Sequence, residues 1–166
     1  MGKKGEGQTK GITLISLIIA IIVLLIIAGI SIYSGKDIIK RAKLEELRTN
    51  LLLIQAKAKE YVEEANFKMG PSPDDSKKTA VRQQVYEEEA KLQKATNITA
   101  PSSIPVSECY QVTKETLKDW GLDKIETKPE EYYLIQFDDT NATVEIYHTE
   151  GYNGKYSLTE IDAIEE

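Results

Sequence analysis

The sequence predicts an α+β fold in which one long N-terminal helix precedes a small antiparallel β-sheet. Three observations support this prediction: an uncharged apolar run near the N-terminus, an amphipathic repeat after it, and a C-terminal region rich in β-branched and aromatic residues. The predicted organisation is a basic leader at residues 1–11, a transmembrane helix at 12–35, an amphipathic helix continuing into a globular head at 36–69, loop and short helices at 70–131, and an antiparallel β-meander at 132–166.

The apolar run contains no charged residue between Gly11 and Gly35. Residues 12–32 form a 21-residue stretch, and a helix of that length rises about 32 Å, which is enough to cross a hydrocarbon core. A helix buried in a small domain would have a polar face, which this segment lacks. A secretory signal peptide is the alternative, but its apolar region normally has only about 7–15 residues. The segment therefore predicts a retained membrane helix.

A short motif lies where the leader meets the apolar run, and it reads Lys10-Gly11-Ile12-Thr13-Leu14-Ile15-Ser16-Leu17. This motif resembles the N-terminus of type IV prepilins and type II secretion pseudopilins. The resemblance implies that a prepilin peptidase cuts after Gly11 and that the new N-terminal residue, Ile12, is methylated. It also implies a pilin-like fold, with other pilin-like subunits and membrane lipid as partners.

The motif departs from the family pattern at two positions. Ile12 stands where phenylalanine is commonest, and Ser16, the assembly position, stands where the family usually has glutamate. A carboxylate in an apolar environment needs a partner, and in that family the amino terminus of a neighbouring subunit is its natural one. Three hypotheses stay open: a minor or tip subunit, polymerisation through packing alone, or an anchored protein that does not polymerise.

The charges around the apolar run give conflicting predictions of orientation. Three lysines precede it and five basic residues follow it closely, which favours a cytoplasmic C-terminal part. The resemblance implies the reverse, with the leader inside. Following the resemblance, we predict a single-pass cell-membrane protein whose head lies outside the cytoplasm, or a subunit of an extracellular filament.

An amphipathic repeat continues beyond Lys36. Its apolar residues alternate in steps of three and four, which is the spacing of one helix face. We predict that this face packs on its own domain, with a dimeric coiled coil as the alternative. The residues of the repeat are Leu44, Leu47, Leu51, Ile54, Ala58, Tyr61 and Ala65.

The remainder of the chain predicts two further helices and a hairpin-rich sheet. The helices are expected at 76–95 and at 113–120, the second with Trp120 in the core. Strands are expected at 132–137, 143–148 and 155–159, joined by turns at 138–142 and 151–154. Strand alternation places side chains on common faces: Tyr133, Ile135 and Phe137 in the first strand, and Val144 and Ile146 in the second.

Charge and composition exclude several classes of function. The chain has 21 Lys and Arg and 27 Asp and Glu, of which only Lys3, Lys4, Lys10 and Glu6 precede residue 36, so residues 36–166 carry a net charge of −8. An acidic surface repels phosphate backbones, and we therefore expect no nucleic-acid partner. One cysteine cannot form an intrachain disulfide.

Candidate chemistry is sparse in the sequence. His148 and Cys109 are the only imidazole and thiol; we interpret the first as a surface or edge residue and the second as half-buried. Asp138, Asp139 and Asn141 are candidate calcium ligands, but Ca²⁺ takes six to eight oxygens and these residue types also favour hairpin turns. We prefer the turn interpretation and expect no metal, no cofactor and no enzymatic activity.

Two functions follow from these observations. The first is a prepilin-like structural subunit of a type II secretion, type IV pilus or competence-type apparatus. The alternative is a membrane-anchored binding module that does not form filaments and whose acidic head binds a partner.

Overall fold

The computed structural model describes residues 8–71, 73–139 and 143–164, with the side chains of residues 8–20, 23 and 25–35 outside the described part. The chain divides into two compact units, Met1–Lys43 and Leu44–Glu166. Helix α1 spans Gln8–Met69 and contributes to both units. The α+β fold is confirmed, because a long N-terminal helix precedes an antiparallel sheet.

The prediction of a single-pass membrane protein is wrong. Among the residues that the structure describes, no helix combines the length and the apolar character that crossing a membrane requires. Most side chains of the predicted span at residues 12–32 lie outside the described part, and from Lys36 onward α1 carries charged side chains on either side of the uncharged residues 49–56. Charged groups are costly in a hydrocarbon layer. The predicted cell-membrane localisation is corrected accordingly.

In the second unit, α1 packs one face against the sheet. The predicted repeat is confirmed as a buried stripe, with one difference: Val62 is 8% exposed and takes the central place, whereas Tyr61 is only partly buried beside Trp120. Helical periodicity explains the stripe, since residues three and four apart lie on the same side. Its members are Leu44, Leu47, Leu51, Ile54, Ala58, Val62, Ala65 and Met69.

The sheet of the described residues has five antiparallel strands in the order in which they occur along the chain. Strand β1 is Gln93–Lys94, β2 is Cys109–Val112, β3 is Tyr133–Asp138, β4 is Thr143–Tyr152 and β5 is Lys155–Ser157. Consecutive strands pair, as strands that follow one another along the chain usually do.

The two faces of the sheet differ in what covers them. Ile135 and Ile146 are opposite each other in the β3–β4 ladder and face α1, as the predicted alternation requires. Leu134 points to the other face, where it packs in a second, smaller cluster with Cys109 and Ile104. The sheet is therefore buried on both sides near its centre.

Two predicted segments differ in detail. The second helix was predicted at 76–95, but α2 spans Asp75–Gln83, a π-helical turn follows at Gln84–Glu89, and the chain then enters β1. Tertiary hydrogen bonds account for the early end. Trp120 Nε1 donates to the carbonyl of Ala90 at 3.2 Å, and Thr116 Oγ1 donates to that of Lys91 at 2.9 Å. Strands β1 and β2 also lie in the region predicted as loop and short helices.

Two short helices complete the fold. Helix α3, Lys114–Asp119, matches the predicted third helix, with Thr113 as its N-cap. Helix α4, Leu158–Asp162, was not predicted. It begins at Leu158, within the strand that was expected at 155–159. Its start is a capping box between Ser157 and Glu160, a Ser-x-x-Glu signal that the sequence contains. Arg48 of α1 then donates to the carbonyls of Ile161 and Ile164, at 3.3 and 3.0 Å.

Candidate functional site

Two of the three predicted calcium candidates, Asp138 and Asp139, lie at the turn after β3. Asp138 is the last residue of β3, and Asp139 Oδ1 accepts from Arg82 Nε at 3.1 Å, while Asn141 lies outside the described residues. The Arg82 guanidinium already neutralises the Asp139 carboxylate, which makes that carboxylate a poorer calcium ligand. In the described part of the chain, no three His, Cys, Asp or Glu side chains converge as a metal site would require.

An open acidic cavity of about 430 Å³ adjoins this turn. Four carboxylate residues line it: Glu108, Asp138, Asp139 and Glu145. Gln136 also lines the cavity and links two of its neighbours. The Gln136 side-chain amide donates to Glu108 at 2.6 Å, and the Gln136 side-chain oxygen accepts from the Tyr147 hydroxyl at 2.9 Å. Such a cavity attracts cationic groups.

An aromatic cluster forms the wall of a neighbouring cavity of about 470 Å³. Tyr86 and Phe137 stack with ring centroids 4.0 Å apart, and Tyr110 meets both rings edge-on. Lys94 Nζ lies 3.7 Å from the centroid of the Tyr110 ring. Burial raises the pKa of both the Tyr86 and Tyr110 phenols to about 12. These hydroxyls therefore stay protonated, and the rings stabilise the fold through packing.

His148 is not a surface residue, as the sequence interpretation had it, but is only 7% exposed. It lies opposite Tyr133 in the β3–β4 ladder, on the face that carries Val144 and Ile146, and its ring centroid is 4.7 Å from that of Tyr133. Alternation along β4 places the imidazole towards α1. The sequence contained this signal, since His148 continues the alternation of two apolar residues.

Cys109 is fully buried rather than half-buried, and it belongs to the cluster on the opposite face of the sheet from His148. Strand alternation therefore separates the thiol from the imidazole. The Cys109 thiol donates to the Pro105 carbonyl at 3.3 Å. Burial and the nearby Glu108 carboxylate raise the pKa of the Cys109 thiol to about 11. A thiol in that state is a poor nucleophile.

The reactivity of Cys109 gives a direct test of this burial. At pH 8 only about one thiol in a thousand is ionised when its pKa is near 11. We expect a soluble thiol reagent to label the native protein about 100-fold or more slowly than the urea-unfolded protein, since the unfolded thiol has its ordinary pKa. Labelling followed by mass spectrometry measures both rates, and equal rates would contradict the buried position.

The residues of the predicted processing motif lie at the start of α1. Because α1 begins at Gln8, the bond between Gly11 and Ile12 falls in its first turn, and Ser16 falls in the next turns. The side chains of Ile12 and Ser16 are outside the described residues. The structure therefore gives the backbone conformation at the predicted cleavage and methylation site and leaves the motif's side-chain contacts as predictions.

Comparison with known proteins finds no matching family model, no matching curated protein and no matching solved structure.

Proposed function

We propose that this chain is a pilin-like structural subunit of a type II secretion, type IV pilus or competence-type apparatus, with no catalytic role. The observation that supports the proposal best is α1 itself. It is 62 residues long, yet the second unit uses only one face of its C-terminal part, from Leu44 to Met69, to complete a core. A helix much longer than its domain needs is typical of a subunit that packs helix to helix.

The solvent-facing side of α1 also supports assembly. Leu52, Leu53 and Phe67 are 44%, 43% and 88% exposed, and none of them contributes to the core of the second unit. Large apolar side chains exposed on one helix offer contact area to a neighbouring subunit. We propose that such contacts replace the glutamate pairing that Ser16 cannot make.

The position of the predicted cleavage bond is compatible with processing. A peptidase needs an extended backbone at the bond that it cuts, and the first turn of a helix is the part that unwinds at least cost. The Gly11–Ile12 bond lies in that turn. We therefore propose that the prepilin peptidase removes residues 1–11 and that Ile12 is then methylated.

Processing and assembly can be tested together. We expect N-terminal sequencing of the chain produced with an active prepilin peptidase to begin at Ile12, and with an inactivated peptidase at Met1. Electron microscopy of the processed protein is expected to show filaments. A leader that stays intact beside the active peptidase would reject processing.

A pair of variants tests the proposed contacts. Leu53→Glu places a charge on the exposed apolar side of α1 and is expected to reduce filament yield at least tenfold. Asn66→Glu adds the same charge at another exposed position of α1 and serves as the matched control. Filaments that tolerate both changes equally would show that this side of α1 is not the contact.

The acidic cavity favours a second function, a binding module that does not form filaments. Four carboxylates from β3, β4 and the adjoining turns surround it, so its partner would carry a cationic group. Sedimentation measurements that find only monomers of the processed protein would favour this function over the structural subunit.

A further inference from the structure

The buried imidazole of His148 has a defined hydrogen-bonding state. Its Nδ1 accepts from the backbone amide of Gly151 at 3.2 Å. An acceptor nitrogen carries no proton, so the neutral ring holds its proton on Nε2, which lies 3.9 Å from Glu131 Oε2. Both residues belong to β4, so the imidazole fixes the backbone of this strand just before the turn to β5.

The backbone that His148 holds is tightly constrained. Gly151 has a φ of +57°, and a Cβ at this position would collide with the carbonyl group of Lys155. The ladder between β4 and β5 shifts register between Tyr147 and Tyr152, which is a β-bulge. A bulge leaves backbone groups outside the regular ladder, and the imidazole takes up one of them, the Gly151 amide.

The charged and titratable groups around His148 come from three elements. Lys128 and Glu131 precede β3, and the Lys128 ammonium contacts the Glu131 carboxylate at 2.8 Å. Tyr133 of β3 lies against the imidazole, and Asn50 of α1 donates to its hydroxyl at 3.3 Å. Glu150 of β4 lies within hydrogen-bonding distance of the Glu131 carboxyl, and Glu46 of α1 acts on Lys128 and Tyr133 from further away.

We propose that His148 is an acid-sensitive latch that holds the β4–β5 hairpin in place and releases it when the imidazole is protonated. Protonation puts an N–H on Nδ1, so two donors then face each other where the Gly151 amide was bound. The Glu131 carboxylate attracts the imidazolium, but Lys128 opposes that attraction. The released segment is the turn between β4 and β5 with the adjoining ends of both strands, because the Ser157–Glu160 capping box holds the end of β5 and Arg48 holds α4.

The environment of His148 sets the direction of the pH effect. Burial lowers its pKa below the ordinary value of 6.5, although Glu131 acts to raise it. The open hairpin therefore binds a proton below about pH 6.5, whereas the closed hairpin binds one only at a lower pH. Closure is complete above that pH and is lost as the pH falls through it.

The neighbouring Glu131 titrates in a different range. Burial is the largest influence and would raise the pKa of the Glu131 carboxyl, but its hydrogen bonds with Lys128 and Glu150 and the positive charge of Lys128 together outweigh burial, and the pKa is lowered. Its contribution to stability is therefore present above its ordinary pKa of 4.5 and is lost only below that value. Between pH 7 and pH 5.5, His148 is the group that changes.

Hydrogen exchange of the full chain tests the latch. We expect the protection of peptides covering residues 149–157, corrected for the intrinsic pH dependence of exchange, to fall between pH 7.0 and pH 5.5, by up to about eightfold. Peptides of α3 serve as the internal control and should not change. Equal ratios for the hairpin and α3 would overturn the proposal.

A variant and a direct titration complete the test. His148→Asn keeps an acceptor near the Gly151 amide but cannot be protonated, so its hairpin protection is expected to be independent of pH in this range. The same loss in the variant as in the natural chain would overturn the proposal. If the variant does not fold, the NMR titration of the natural chain decides, because His148 is the only histidine. A midpoint below 6.5 supports the latch, and one at or above 6.5 overturns it.

Discussion

Replacing Leu51 by alanine is expected to lower the free energy of unfolding by about 2–5 kcal/mol, the range for emptying a buried leucine position. Leu51 is 0% exposed and lies in the stripe of α1 that faces the sheet. Shortening its side chain leaves a cavity between the helix and the strands, because both are held by many other contacts and cannot collapse into the space. Urea unfolding at pH 7 measures the change as a lower midpoint.

The adjacent residue provides the matched control. Leu52 is 44% exposed on the other side of the same helix turn, and leucine and alanine have similar helix propensities. Leu52→Ala is therefore expected to change the free energy of unfolding by less than about 1 kcal/mol. Similar losses for the two variants would contradict the orientation of α1 on the sheet.

Replacing Trp120 by alanine is expected to cost about 3–5 kcal/mol. The side chain is 5% exposed, its ring lies 5.5 Å from that of Tyr61, and its Nε1 donates to the carbonyl of Ala90. The indole thus ties α3 to α1 and to the end of the π-helical turn. Unfolding should be followed by circular dichroism, since Trp120 is the only tryptophan and its fluorescence is lost with it.

Trp120→Phe separates the two contributions of the indole. Phenylalanine keeps an aromatic ring against Tyr61 but leaves the Ala90 carbonyl without its donor, which costs about 1–3 kcal/mol for a buried group. Phe67→Ala, at a position that is 88% exposed, is the control for removing an aromatic ring. A Trp120→Ala variant as stable as the Phe67→Ala variant would show that the indole is not a core residue.

The parts of the fold predicted correctly are those determined by local periodicity. The spacing from Leu44 to Ala65 identified the buried side of α1, and alternation in β3 and β4 identified the residues that face it. Each pattern reports which side of one element is apolar, and burial follows from that alone. Of the candidate calcium ligands, Asp139 lies in the turn after β3, Asp138 ends that strand, and Asn141 lies outside the described residues.

The parts that were missed depend on contacts between distant segments. The end of the second helix is determined by Trp120 and Thr116, which bind carbonyls about 25 to 30 positions earlier in the chain. The burial of His148 requires knowing that Tyr133 lies opposite it. The membrane prediction relied on the apolar character of residues 12–32, and the finding that overturns it applies to the described residues.

The outer strands of the sheet determine how readily a strand from another copy of this chain can pair with it. In the described residues these strands, β1 and β5, are only two and three residues long. Where β4 extends beyond β5, Gln55 of α1 donates to the carbonyl of Val144 at 3.1 Å. Short edges and an occupied carbonyl give an incoming strand little to pair with. Amyloid-like growth by strand addition is thereby disfavoured.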